Sequence, residues 1–141
     1  MKSPPFDIGF TTRAALGALK KEATYSSAKA ASDEKNQQSQ SNGSLMRITP
    51  LAVWTSSMSD EESILKTISL DVSMTHPHVL VHHAICLYCV TIHFLLKNKN
   101  DPDRGYNAFM YGLEKSKTEG YNASEKGESC TKWLEMAKEL S

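Results

Sequence analysis

Apolar residues recur at helical spacing along most of this chain, and two polar stretches interrupt them. Ile8, Thr12, Ala15, Leu16 and Leu19 predict a first helix reaching about Lys21, with Asp7 as its N-cap. Ser44 stands where it would cap a second short helix running through Trp54. Pro50 lies inside that helix and demands either a late start or a kink. Ser59 and Glu62 form an S-x-x-E capping box, and Asp60 and Glu61 sit where the helix dipole favours anions. Ile64, Leu65, Ile68 and Val72 form the inward stripe of that helix. Pro77 suits the first position of the next one. Asp101-Pro102 and Asn122 are placed to cap two closing helices, the last bearing Trp133, Leu134, Met136 and Leu140. The expected class is all-α, a helical bundle.

The first polar stretch, 23–41 (ATYSSAKAASDEKNQQSQS), holds almost no large apolar residue. Too little surface is available there to offset its ordering entropy, so it reads as a mobile linker or a frayed helical excursion. The second, 97–105 (KNKNDPDRG), is a turn-rich connector. No solenoid period recurs.

The run 79–96 (VLVHHAICLYCVTIHFLL) has no Asp, Glu, Lys or Arg over 18 residues. Length and charge make it a candidate membrane span. Its three histidines, and the lack of aromatic residues at both ends, favour the buried central helix of a bundle. His78, His82, Cys86, Cys89 and His93 share one stripe of this helix. They read either as a metal strip or as buried side chains acting structurally. His78 and His93 would lie ~22 Å apart along the axis, so one ion could bind only neighbours and would need ligands from another helix. The C-x-x-C of Cys86 and Cys89 lies mid-helix without a βαβ setting, which argues against thioredoxin-like chemistry.

Composition narrows the classes further. The 141 residues fit one domain, and 16 Lys+Arg balance 16 Asp+Glu. Zero net charge argues against a protein that grips nucleic-acid phosphates or anionic lipid. Three cysteines fit no closed disulfide framework. With no apolar leader at the N-terminus, an intracellular, reducing setting is expected, and the N-x-S sequons at Asn42 and Asn122 read as chance.

One loop carries chemistry. In Ser41-Asn42-Gly43-Ser44-Leu45-Met46-Arg47 a polar linker ends at a turn and an apolar helix begins at once. Gly43 permits positive φ or a close approach of the backbone to a ligand. The amides that follow leave a helix N-terminus, where an anion such as a diphosphate is favoured. The plainer alternative is an ordinary helix start with Arg47 on a solvated face.

Three segments together resemble consecutive blocks of the ADP-ribosylglycohydrolase family: PPFDIGFTTRAAL (4–16), SNGSLMRITPLAVW (41–54) and DVSMTHPHVLVHHAICLYCVTIHFLL (71–96). The resemblance spans about residues 4–97. It implies an all-α fold around an ADP-ribose cleft, with two Mg2+ or Mn2+ ions and hydrolysis of the glycosidic bond joining ADP-ribose to a side chain. By position, Asn42, Gly43, Ser44, Leu45 and Met46 would surround the diphosphate and adjoining ribose. His76 would line the same cleft, and Asp7 and Thr11 match the D-I-G-x-T-T stretch. The family's two acidic ion-binding segments, T-D-D-T-like and D-x-D-T, have no counterpart here. The six aspartates include no adjacent pair, and Asp101-Pro102-Asp103 is followed by Arg104. Hard cations need several carboxylate oxygens. The expectation is a single partial domain over 1–141, with no metal of its own and no hydrolysis when alone. A complementing chain would supply the missing segments. ADP-ribose or an ADP-ribosylated protein would be its partner. Alternatives from other classes are a non-catalytic ADP-ribose- or nucleotide-binding module, a helical interaction protein and a single-span membrane protein.

Overall fold

A computed structural model describes residues 9–119, 121, 124–125 and 128–140. Among them the chain forms seven α-helices: α1 (Phe10–Gly17), α2 (Tyr25–Lys35), α3 (Leu45–Thr55), α4 (Glu61–Ser73), α5 (Val79–Lys97), α6 (Arg104–Lys115) and α7 (Cys130–Glu139). A 3-10 turn (Ala18–Lys20) extends α1. Two-residue strands, β1 (Ser124–Glu125) and β2 (Glu128–Ser129), pair antiparallel ahead of α7. The class is all-α. Asp7 and Asn122, read as caps from the sequence, lie outside the described residues.

The charge-free run forms α5, and α3, α4, α6 and α7 all pack on it. It is long and apolar enough to cross a membrane by length and composition alone. Within the fold Leu80, Val81, Ile85, Leu87 and Val90 are buried on it, and Ile48, Ala52, Ile64, Ile68 and Val72 complete the core from α3 and α4. Each of the larger buried side chains contributes ~1.5–3 kcal/mol of transfer free energy. Ile64, Ile68 and Val72 follow the inward stripe expected of α4, while Leu65 is only partly buried. One carboxylate ties α4 to α6: Glu61 takes both its oxygens to Lys115 Nζ, at 2.8 and 2.9 Å. Buried Tyr121 adds a hydroxyl donor to the same carboxylate at 3.2 Å.

Several boundaries differ from the sequence reading. The polar stretch is not a loop throughout, because 25–35 folds as α2. Thr24 caps it by accepting from Ser27 N at 3.2 Å, and small Ala28 and Ser32 are buried where α2 meets α1. A helix can dock through small residues without burying any large one. In α4 the cap is Asp60, whose carboxylate accepts from Ser63 N at 2.9 Å, one residue beyond Ser59. Pro77 precedes α5, and His78 caps it instead, Nδ1 accepting from Leu80 N at 3.2 Å. Pro50 sits inside a helix that starts on time, its missing N–H depriving only the Met46 carbonyl of a partner. Asp101 organises the start of α6, accepting from Asp103 N and Asn107 Nδ2 at 2.9 and 2.7 Å. The last helix buries only Cys130, and Met136 and Leu140 point to solvent.

Candidate functional site

The loop 36–44 and the corner 74–78 meet because one buried side chain ties both to α1. Asn36 closes α2 with its amide turned inward. Nδ2 donates to the Thr11 carbonyl at 2.9 Å and to the Thr75 carbonyl at 3.0 Å. The corner itself is a tight reversal after α4, with the amides of Thr75 and His76 both returning to the Val72 carbonyl. Pro77 then forces the extended backbone from which α5 departs.

At this meeting point the Asn42-Gly43-Ser44 bend rests directly on His76. A Cβ placed on Gly43 would meet His76 Cε1 at 3.0 Å, His76 Nε2 at 3.1 Å and Thr12 Oγ1 at 3.2 Å. Its φ lies outside the left-handed region, so glycine is needed here for space and not for an unusual dihedral. His76 is wholly buried and bonded at both ring nitrogens. Nδ1 lies 2.8 Å from Thr75 Oγ1, and Nε2 lies 3.0 Å from Ser41 Oγ. Burial, and secondarily the neighbouring Arg47 cation, pushes its pKa down to about 4, so the ring is neutral at physiological pH.

Around that histidine the polar groups form one network. Ser41 Oγ reaches Thr11 Oγ1 at 3.3 Å, Thr11 Oγ1 lies 3.0 Å from Ser39 Oγ, and Ser39 Oγ donates back to Ser41 Oγ at 3.3 Å. On the other side, Arg47 pairs with Asp71 and donates through Nη2 to the Asp71 carbonyl at 2.8 Å and to Thr75 Oγ1 at 2.9 Å. Arg47 is thus no solvated surface group, as the sequence alone allowed. Asp71 lies in the last turn of α4 and Thr75 in the reversal that follows, which folds back so that Arg47 reaches both. Asn36, Ser39 and Ser41 were missed because composition made 23–41 look unable to fold.

The bend also forms the rim of a cavity of about 540 Å3 between α5, α6 and α7. Asn42, Ser44 and Leu45 contribute to its wall, with Leu80, Ile85, Tyr88, Phe109, Cys130 and Trp133 facing them. Among the described residues no acidic or basic side chain lines it. Ser44 does not cap α3. Its backbone is already helical, and its hydroxyl, fully buried, has no hydrogen-bond partner. The remaining site residues fall elsewhere. Gly43 supports the bend from beneath, Met46 is 80% exposed, and His76 stands behind the bend instead of on the cavity wall. Thr11 joins the network, whereas Asp7 lies outside the described residues.

Two histidines of the α5 stripe make packing contacts, His78 as the cap and His93 as a tie to α3. His93 Nε2 lies 2.9 Å from the Ala52 carbonyl and 3.0 Å from Thr55 Oγ1, tying α5 to α3. Burial lifts the thiols of Cys86 and Cys89 to about 12, and that of Cys130 to about 11. Among the described residues no three His, Cys, Asp or Glu side chains come together where they could hold a metal ion. The carboxylate next to the bend, Asp71, is already taken by Arg47. A two-ion carboxylate cage does not fit the described residues.

Among known proteins, the family model described as ADP-ribosylglycohydrolase matches residues 1–140, well beyond the 4–97 segment in which the resemblance was legible by eye. Neither a curated protein nor a solved structure matches the chain.

Proposed function

As this chain belongs to the ADP-ribosylglycohydrolase family, matched over residues 1–140, we propose that it binds ADP-ribose at the Asn42–Met46 bend and does not by itself cleave the glycosidic bond joining ADP-ribose to a protein side chain. The diphosphate sits at the solvent-facing rim, where the dipole of α3 favours an anion; the amides of Met46 and Arg47 already bond the Asn42 and Ser44 carbonyls, so the contact falls to those of Gly43 to Leu45. Asn42 offers its exposed side-chain amide there, whereas the Ser44 hydroxyl is fully buried and does not reach the rim. Charged oxygens stay at the rim, because moving them among Leu80, Ile85 and Phe109 would strip their hydration without compensation. The flat base is the portion of the ligand that suits those apolar and aromatic walls.

The observation that carries this reading is the approach of Gly43 to His76. It leaves the bend no freedom to collapse and so keeps its amides in place before a ligand arrives. Glycosidic cleavage in the family depends on paired cations to orient the ribose hydroxyls and the attacking water. The described residues offer no carboxylate set for them, so this chain contributes recognition alone.

Calorimetric titration of the full chain with ADP-ribose, with and without Mg2+, tests both halves. Saturable heat in either buffer, with no release of ADP-ribose from a modified protein, is the expected result. No heat at millimolar ligand would overturn the binding, and turnover by the isolated chain would overturn the division of labour.

A further inference from the structure

We propose that Arg47 is a positioning residue. Through Thr75 it fixes His76 as the Nε2–H tautomer, and through His76 it sets the direction of the hydroxyl ring that shapes the bend. A guanidinium has donors and no acceptor, so Thr75 Oγ1, 2.9 Å from Arg47 Nη2, must accept from it. The one proton on that hydroxyl is then free to go to His76 Nδ1, 2.8 Å away. A neutral imidazole carries a single proton. With Nδ1 accepting, that proton resides on Nε2 and is donated to Ser41 Oγ at 3.0 Å.

Ser41 passes the polarity on. Its oxygen accepts from His76 and its proton goes to Thr11 Oγ1, Thr11 donates to Ser39, and Ser39 closes the ring on Ser41. Every hydroxyl donates once, and no proton is left over. The opposite tautomer fails this test. With the proton on Nδ1, Thr75 Oγ1 would accept twice, and its own hydrogen would point at no partner in a fully buried site. An orphaned buried hydroxyl is costly enough to exclude that form by roughly tenfold or more, the equivalent of ~1.4 kcal/mol. Asp71 holds the guanidinium in place from the other side, by its carboxylate and by its backbone carbonyl at 2.8 Å.

The inference rests on the network and not on ligand binding, although under the proposed function it also explains how the bend keeps its shape. The decisive readout is nitrogen-detected NMR of the full chain labelled with 15N-histidine, the His76 signals being identified by their loss in His76→Gln. Expected is one tautomer, with Nε2 bearing the proton and Nδ1 hydrogen-bonded. In Thr75→Val, which is close in shape, Nδ1 loses its donor and its resonance moves to that of an unbonded ring nitrogen. Thr75→Ser restores it. Arg47→Met releases the constraint on Thr75 and should give two interconverting tautomers. Arg47→Lys keeps the charge but loses the fork, and lies between. A proton on Nδ1 in the unmodified protein, or an Nδ1 resonance unmoved in Thr75→Val, would overturn the proposal. An intact tautomer pattern alongside absent ADP-ribose heat would sink the ligand reading and leave this one standing.

Discussion

Replacing Gly43 by alanine gives a result whose sign alone is informative. At a glycine with ordinary backbone angles and open surroundings, the added methyl stabilises by ~0.4–1 kcal/mol through the unfolded chain. Here it would lie 3.0–3.2 Å from three atoms. Two of those belong to a ring that cannot swing aside, since His76 is fully buried and bonded at both nitrogens. Overpacking against a fixed neighbour costs ~1–3 kcal/mol. In a chain of this length ~1 kcal/mol moves Tm by ~2–4 °C, so circular-dichroism melts should fall by ~2–12 °C. The double variant separates crowding from other causes. In a His76→Ala background two of the three close atoms are gone, and Gly43→Ala should become neutral or stabilising, a coupling of ~1–3 kcal/mol. A Gly43→Ala protein that melts higher than the unmodified one would refute the close-packed bend.

Three further outcomes follow from the same contacts. His76 has a folded pKa near 4 against an ordinary 6.5, so the unfolded state binds the extra proton. Stability is full above about pH 6.5 and falls as pH drops toward about 4. Half-buried His82 and buried His93 shift the same way, and His76→Gln should shallow the pH dependence of urea unfolding by up to one proton. Asp60→Ala should cost ~1 kcal/mol in urea denaturation, while Ser59→Ala should leave the midpoint unchanged; equal losses would return the cap to Ser59. Cys86, Cys89 and Cys130, buried and with raised pKa values, should resist a thiol reagent in the native protein and all react in denaturant.

The parts of this fold written in apolar periodicity were legible. The run that became α5 and the stripe Ile64, Ile68 and Val72 needed only spacing, because large side chains dominate the free energy of burial. The bend was also legible, since Asn-Gly-Ser before an apolar helix leaves few backbone solutions. Helix ends were not. Asp60 and Ser59, or His78 and Pro77, compete for a helix start over ~1 kcal/mol, and tertiary placement decides between neighbours. The region 25–41 hid for a different reason. Its contribution comes from Ala28, Ser32 and Asn36, small or polar groups whose value lies in fit and hydrogen-bond geometry, to which a count of apolar residues is blind. Thr24 followed by an Ala- and Lys-rich segment was a helix-start signal, outweighed by the polar composition around it. The side of the bend on which His76 stands depended on where α5 leaves the corner, which no local pattern encodes.

The two hydrogens of the Asn36 amide end on carbonyls of different parts of the chain, Thr11 in α1 and Thr75 before α5. Any displacement of the corner must therefore drag α1 with it or break a bond at 2.9 or 3.0 Å. One small side chain thus couples the first helix, the end of the second and the histidine corner.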